Sequence, residues 1–196
     1  ISPSFKDPRN LFNLVRSESI MGIISCGLTF PIVSGGLDLS VGSVYGLVGI
    51  LALMWQPKGL FIAIIIPLII ACIIGLFNGF IINQFNVSSI IVTLGMLSVV
   101  QGLILIVTNG RNQIGELNNP YSKIATGTLL GINNQIIIFI VIVIILYVIL
   151  QRTTFGRYNY LVGSNPDAAI IAGIRIDRIR LITYVISALC AGIAAI

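Results

Sequence analysis

No charged residue occurs between Lys58 and Arg111, nor between Lys123 and Arg152. A membrane-spanning helix takes about 20 mostly apolar residues, so these intervals alone have room for three. The composition agrees: 57% of the 196 residues are hydrophobic and 9% are charged, where soluble domains carry charge on about a quarter of their residues. In hydrocarbon the backbone must bond to itself, which makes helices the product of such runs. The expected fold is all-α, a polytopic transmembrane helical bundle. The net charge of +5 then reports orientation rather than a nucleic-acid partner.

One stretch interrupts the apolar background: Gly35, Gly36, Leu37, Asp38, Leu39, Ser40, Val41, Gly42 and Ser43. Uncharged sequence flanks Asp38 on both sides, and an ionisable side chain is expensive near hydrocarbon unless it has a function there. The paired glycines open backbone conformations closed to other residues. Asp38 or Ser40 is placed to cap a helix beginning at Val41. The preceding apolar segment, residues 19–34, contains Gly22, Ser25, Gly27 and Pro31 and is short for a crossing, so residues 35–43 read as a broken or re-entrant helix. Two roles stay open for this stretch: a capped turn at a membrane surface, or the lining of a substrate path.

Residues 1–17 are polar and amphipathic and read as an extramembrane approach. After the break, Gly42, Gly46 and Gly49 share a helix face suited to close packing. Trp55, Gln56, Pro57, Lys58 and Gly59 form a tight interfacial connection, and a crossing over residues 60–82 carries Gly75 and Gly79 around Asn78. Asn78 either bonds a neighbouring helix or faces a polar path. Ser88 or Ser89 can cap the next crossing, residues 90–108, which contains Thr93, Gly95, Ser98, Gln101 and Gly102. Gln101 pairs across helices or meets a polar solute. A polar connection over residues 109–134 opens on an Asn109-Gly110 turn, and the isoleucine- and valine-rich residues 135–150 suit a lipid-facing helix.

Arg152, Arg157, Arg175, Arg178 and Arg180 mark residues 151–180 as a cytoplasmic loop. Alternating the crossings back from it puts residues 35–43 toward the same side, if the 19–34 segment crosses fully. Within the loop, Asn165 is the expected N-cap of a short helix, with Pro166 in its first position, Asp167 in its first turn and Gly173 closing it. The small Ala168, Ala169 and Ala172 would leave one face smooth, suited to a groove on a soluble partner. The chain starts at Ile1 and stops while still apolar, which reads as a fragment of a longer protein.

Catalytic chemistry has little to build on. Histidine is absent, which removes the commonest general base and metal ligand. The acids Asp7, Glu18, Asp38, Glu116, Asp167 and Asp177 are scattered, and Cys26, Cys72 and Cys190 lie inside apolar segments without metal-ligand spacing. No catalytic residue, metal or cofactor is expected.

The stretch from Gly35 to Ser43 resembles the hallmark of the membrane permease subunits of ATP-binding-cassette importers for monosaccharides of the ribose, xylose and galactose type. Thr93-Leu94-Gly95-Met96, the region from Gly102 to Gly110, Gly156-Arg157, and Gly163 through Ile174 resemble further conserved parts of that family, the last being its coupling loop. The likeness covers nearly all of the chain. Ser88 and Ser89 depart from a proline-bearing helix start, and Ser164 from a second glycine.

The resemblance implies a single permease domain over residues 1–196, in the bacterial cytoplasmic membrane, that moves a monosaccharide and carries no nucleotide site. The GxxxxGK[ST] pattern is indeed missing. It further implies a separate cytoplasmic ATP-binding subunit, docked near Gly163, Asn165, Ala168, Ala169 and Gly173, an extracytoplasmic sugar-binding protein, and a second permease subunit as homodimer or heterodimer partner. A neutral polyhydroxy solute needs hydroxyl and amide partners, which makes Ser40, Ser43, Asn78, Thr93 and Gln101 the candidates for the path. Gly35, Gly36, Asp38 and Gly42 are expected to hold the helix break. The competing readings are an ion-coupled secondary transporter, or the same importer class carrying a nucleoside, an autoinducer or a branched-chain amino acid.

Overall fold

The computed structural model describes residues 8–115, 120–129 and 131–196. Among these residues are nine α-helices and one hairpin. In order they are α1 (Pro8–Val33), α2 (Val41–Trp55), α3 (Leu60–Phe85), α4 (Ser89–Thr108), α5 (Ser122–Thr126), β1 (Thr128–Leu129), β2 (Ile132–Asn133), α6 (Asn134–Arg152), α7 (Thr154–Ser164), α8 (Pro166–Ile171) and α9 (Ile176–Ala195). The strands are antiparallel, with Leu129 opposite Ile132. α3, α4, α6 and α9 are long and apolar enough to cross a membrane, so the chain is a multi-pass, helical membrane protein.

The first helix corrects two expectations. The polar approach and the apolar segment form one continuous helix of 26 residues, about 39 Å at 1.5 Å per residue, so the segment before the break is not short. Expectations for residues 1–7 fall outside the described residues. α1 ends in a Schellman motif: Gly36 N–H donates to Pro31 O (2.8 Å) and Gly35 N–H to Ile32 O (3.0 Å). Gly35 adopts φ +84°, the left-handed conformation that this ending requires and glycine adopts without strain.

Helix ends gather at two poles. At one pole Arg16 Nε donates to Gln135 Oε1, and Tyr121 packs on Ala52 and Ala63. At the other, Leu37 N–H donates to Ser89 Oγ, Asn83 Nδ2 to the Asp177 carbonyl, and Asn159 Nδ2 to the Phe30 carbonyl. The break after α1, the α3–α4 turn, and α7, α8 and the start of α9 therefore share one end, which also carries Arg152, Arg157, Arg175, Arg178 and Arg180.

α9 is the centre of the bundle, packed against α1, α2 and α3. The close backbone approach lies at the α3 glycines: a Cβ on Gly75 would sit 2.6 Å from Tyr184 O, and one on Gly79 2.8 Å from Leu181 Cα. Small residues on one face let two helices meet without side chains between them. The expected stripe on α2 does not serve this purpose, since Gly42 faces open space and Gly46 and Gly49 have room for a methyl. Val44, Val48, Ala71, Val100 and Ala188 fill the core between α2, α3, α4 and α9. Ile23, Phe30, Leu146 and Cys190 fill that between α1, α6 and α9. α6 exposes Ile140, Val141, Ile144, Ile145 and Val148, as a lipid-facing helix would.

Residues 151–180 are mostly helical rather than a loop with one short helix. The Thr153 hydroxyl caps α7, accepting from Gly156 N–H, and a Cβ on Gly156 would collide with the Leu150 carbonyl. This tight corner starts α7, which the reading of the sequence missed. α8 forms as expected: Asn165 Oδ1 accepts from Ala168 N–H (3.0 Å), Pro166 opens the helix, and Gly173 closes it at φ +73°.

Candidate functional site

Asp38 lies in the non-helical segment between α1 and α2 and is 2% exposed. Its Oδ1 accepts from Ser40 N–H (3.1 Å) and from the Ser40 hydroxyl (2.6 Å). Its Oδ2 accepts from the Ser187 hydroxyl on α9 (2.8 Å). A carboxylate taken out of water is tolerable when several donors replace the solvent, and these three do so. Asn78 Nδ2 on α3 donates to Ser40 Oγ (2.9 Å), and the Ser43 hydroxyl donates back to Ser40 O. Asp38 thus ties α3, α9 and the start of α2 to one point.

The expected cap is corrected. Ser40 occupies the N-cap position of α2 at φ −79°, ψ −12°, and no side chain caps the helix. The carboxylate binds Ser40 ahead of the helix instead of its first-turn amides. Ser89 departs similarly: Ser88 holds the N-cap position of α4 without a side-chain cap bond, and Ser89 Oγ instead accepts from Leu37 N–H (3.0 Å). Thr93 Oγ1 donates to Ser89 O (2.7 Å) and lies 3.4 Å from Leu37 O. The segment is held by α3, α4 and α9 together.

Of the polar candidates, Ser40, Ser43, Asn78 and Thr93 are buried around this segment. Gln101 is exposed on α4 and is not brought to them. Gly36 packs under the Tyr184 hydroxyl so closely that a Cβ would collide with it, whereas Gly42 faces outward. Next to the break a polar cavity of about 250 Å³ opens between Gly35, Gly36, Asn86, Ser88, Ser89, Arg180 and Tyr184.

The face offered by α8 differs from the expected one. Ala169 is fully buried against Val162 and Ile179, and Ala168 is half-buried. Outward stand Ile170 at 61% and Ile171 at 88% exposure, with Ala172 and Gly173 also exposed. Val162 and Ile179 hold Ala169 inward, and the next residues then face out.

Three residues at the site escaped the reading of the sequence: Tyr184, Ser187 and Asn159. Arg180, Thr183, Tyr184 and Ser187 stand at i, i+3, i+4 and i+7, one face of α9, so helical spacing alone marked that stripe. Asn159 carried no such signal while its segment was read as loop.

The described residues contain no cluster of histidine, cysteine or acid suited to a metal. What the arrangement provides is a helix break, locked by neutral hydroxyls and an amide around one carboxylate, beside a polar cavity and at the same end of the bundle as the short capped helix α8. A family model described as "Branched-chain amino acid transport system / permease component" matches residues 10–196. The chain belongs to that permease family.

Relatives give the family more detail. The chain is 36% identical to the ribose import permease protein RbsC of Bacillus subtilis (strain 168), over 99% of this chain and 61% of that one. It is 32% identical to the ribose import permease protein RbsC of Haemophilus influenzae, over 100% of this chain and 62% of the relative. It is also 32% identical to the L-arabinose ABC transporter permease protein AraH of Azospirillum brasilense, over 99% and 58%. The permease chain thus spans about three fifths of the length of these relatives. No solved structure matches it.

Proposed function

We propose that this chain is part of the membrane permease of an ATP-driven importer that carries a monosaccharide across the bacterial cytoplasmic membrane. The observation that carries the reading is the shared pole: the Asp38 helix break, the polar cavity and the outward-facing α8 lie at one end of the bundle, beside Arg152, Arg157, Arg175, Arg178 and Arg180. An arginine-rich end faces the cytoplasm, where α8 meets an ATP-binding subunit. Ile170 and Ile171 form the apolar contact that this subunit covers, taking the place of the alanines. A sugar-binding protein delivers solute at the opposite face, and a second permease subunit completes the path. Ribose and arabinose, named in the relatives, mark the substrate class.

A neutral sugar is handled by hydroxyls and amides rather than by fixed charge. In this conformation Ser40, Ser43 and Asn78 are closed on one another and Thr93 on the Ser89 carbonyl, so the segment acts as a locked gate. ATP-driven closure of the partner subunits displaces α8 and shifts the permease between two arrangements, one of which releases this lock. The polar cavity then receives solute on the inner side.

The test uses the complete importer in proteoliposomes. Ile171→Asp is expected to abolish co-purification of the ATP-binding subunit and ATP-dependent sugar uptake while leaving permease yield intact. Uptake that continues without the ATP-binding subunit and collapses with an ion gradient would overturn the reading in favour of an ion-coupled transporter.

A further inference from the structure

α7 has two loaded faces. Toward α1, the Phe155 ring stacks on Phe30 with centroids 6.2 Å apart. Asn159 is fully buried and its Nδ2 donates to the Phe30 carbonyl (3.1 Å). Gly163 passes so close beneath Val33 that a Cβ would collide with its carbonyl oxygen. Phe155, Asn159 and Gly163 follow one another at i, i+4 and i+8, which places them on a single face. All three bear on the last turn of α1, immediately before the Schellman ending that leads to Asp38.

Toward α8, Val162 is buried with Ala169 and Ile179. No linker separates the two helices. Asn165 is at once the C-cap of α7, donating its N–H to Leu161 O, and the N-cap of α8. A displacement of α8 therefore moves α7 as well, and α7 cannot slide past α1 without breaking a buried hydrogen bond and a ring stack.

We infer that α7 is a rigid strut carrying motion from α8 to the α1 ending, with Asn159 as its positioning residue and Gly163 as its seat. This rests on the proposal that α8 docks an ATP-binding subunit. Asn159 touches neither solute nor nucleotide; it acts by keeping the Phe30–Val33 turn in register with α8. Packed elements of this kind switch between discrete arrangements rather than deforming gradually.

The experiment compares Asn159→Leu with Ile171→Asp in the complete importer. For Asn159→Leu we expect normal assembly and ATPase activity, with sugar moved per ATP reduced about tenfold, within the usual range of coupling energies. A wild-type sugar-to-ATP ratio overturns the strut. Ile171→Asp separates the two ideas: if it leaves ATPase binding and uptake untouched, the docking proposal fails, whatever Asn159 does.

Should Asn159→Leu fail to assemble, spin labels on a cysteine-free wild type decide. The distance between positions 32 and 167, both exposed, is expected to hold constant between nucleotide-free and ATP-trapped states. The distance between positions 167 and 61 is expected to change. A shift of more than about 2 Å between 32 and 167, the scale of helix movements in switching interfaces, overturns the inference, as does no change in either pair.

Discussion

Replacing Asp38 tests whether the carboxylate holds the break by its shape or by its charge. Alanine removes the acceptor of three hydrogen bonds, those from Ser40 N–H, the Ser40 hydroxyl and the Ser187 hydroxyl. Buried bonds to a charged group contribute about 1.5–3 kcal/mol each, but the three losses do not add. The Ser40 hydroxyl can turn to Asn78, whose Oδ1 is buried without a partner. The Ser187 hydroxyl can turn to a carbonyl one turn back along α9. Only the Ser40 N–H is left stranded, so the net cost of Asp38→Ala is about 1–3 kcal/mol, roughly a 5- to 150-fold change in the folding equilibrium. Asparagine keeps Oδ1 for both Ser40 donors and offers an N–H₂ to Ser187, which can accept, so Asp38→Asn should cost under about 1 kcal/mol. Reversible unfolding in mixed micelles, read together with membrane yield, measures both. If asparagine unfolds as readily as alanine, the charge itself is required and the hydrogen-bond account of the break is wrong.

Other substitutions probe the surrounding contacts. Gly79→Val sets a branched side chain where Leu181 Cα would already lie 2.8 Å from a Cβ, and should destabilise the α3–α9 contact by about 1–3 kcal/mol in the same unfolding assay; Gly95→Ala, with open space around it, should be neutral or slightly stabilising. Gly35→Ala forces a methyl-bearing residue to φ +84° and should cost about 1 kcal/mol, seen as an earlier unfolding midpoint. Gln101→Leu, on the exposed face of α4 away from the buried polar cluster, should leave both yield and sugar uptake by the complete importer unchanged.

Much of this architecture was legible in the sequence because membrane helices are written locally. Charge-free runs, the Gly35-Gly36 pair and the cap sequence Asn165-Pro166 each describe themselves within a few residues, and the helices and turns they announce are present. Legibility ended where a partner lay far along the chain. Asp38 meets Ser187 across 149 positions, and Phe30 meets Asn159 across 129. The same distance explains the misplaced caps: Ser40 and Ser89 are good N-cap residues by type, but tertiary partners engage them first. It explains Ala169 too, since the inward side of α8 is set by Val162 and Ile179 and not by its own composition. A carboxylate bordered by hydrocarbon announces that it needs donors; packing alone decides that two of the three come from Ser40 and the third from α9. Because α3 holds Ser40 and α9 holds Asp38, the break between α1 and α2 is a property of the assembled bundle, and what moves those helices opens it.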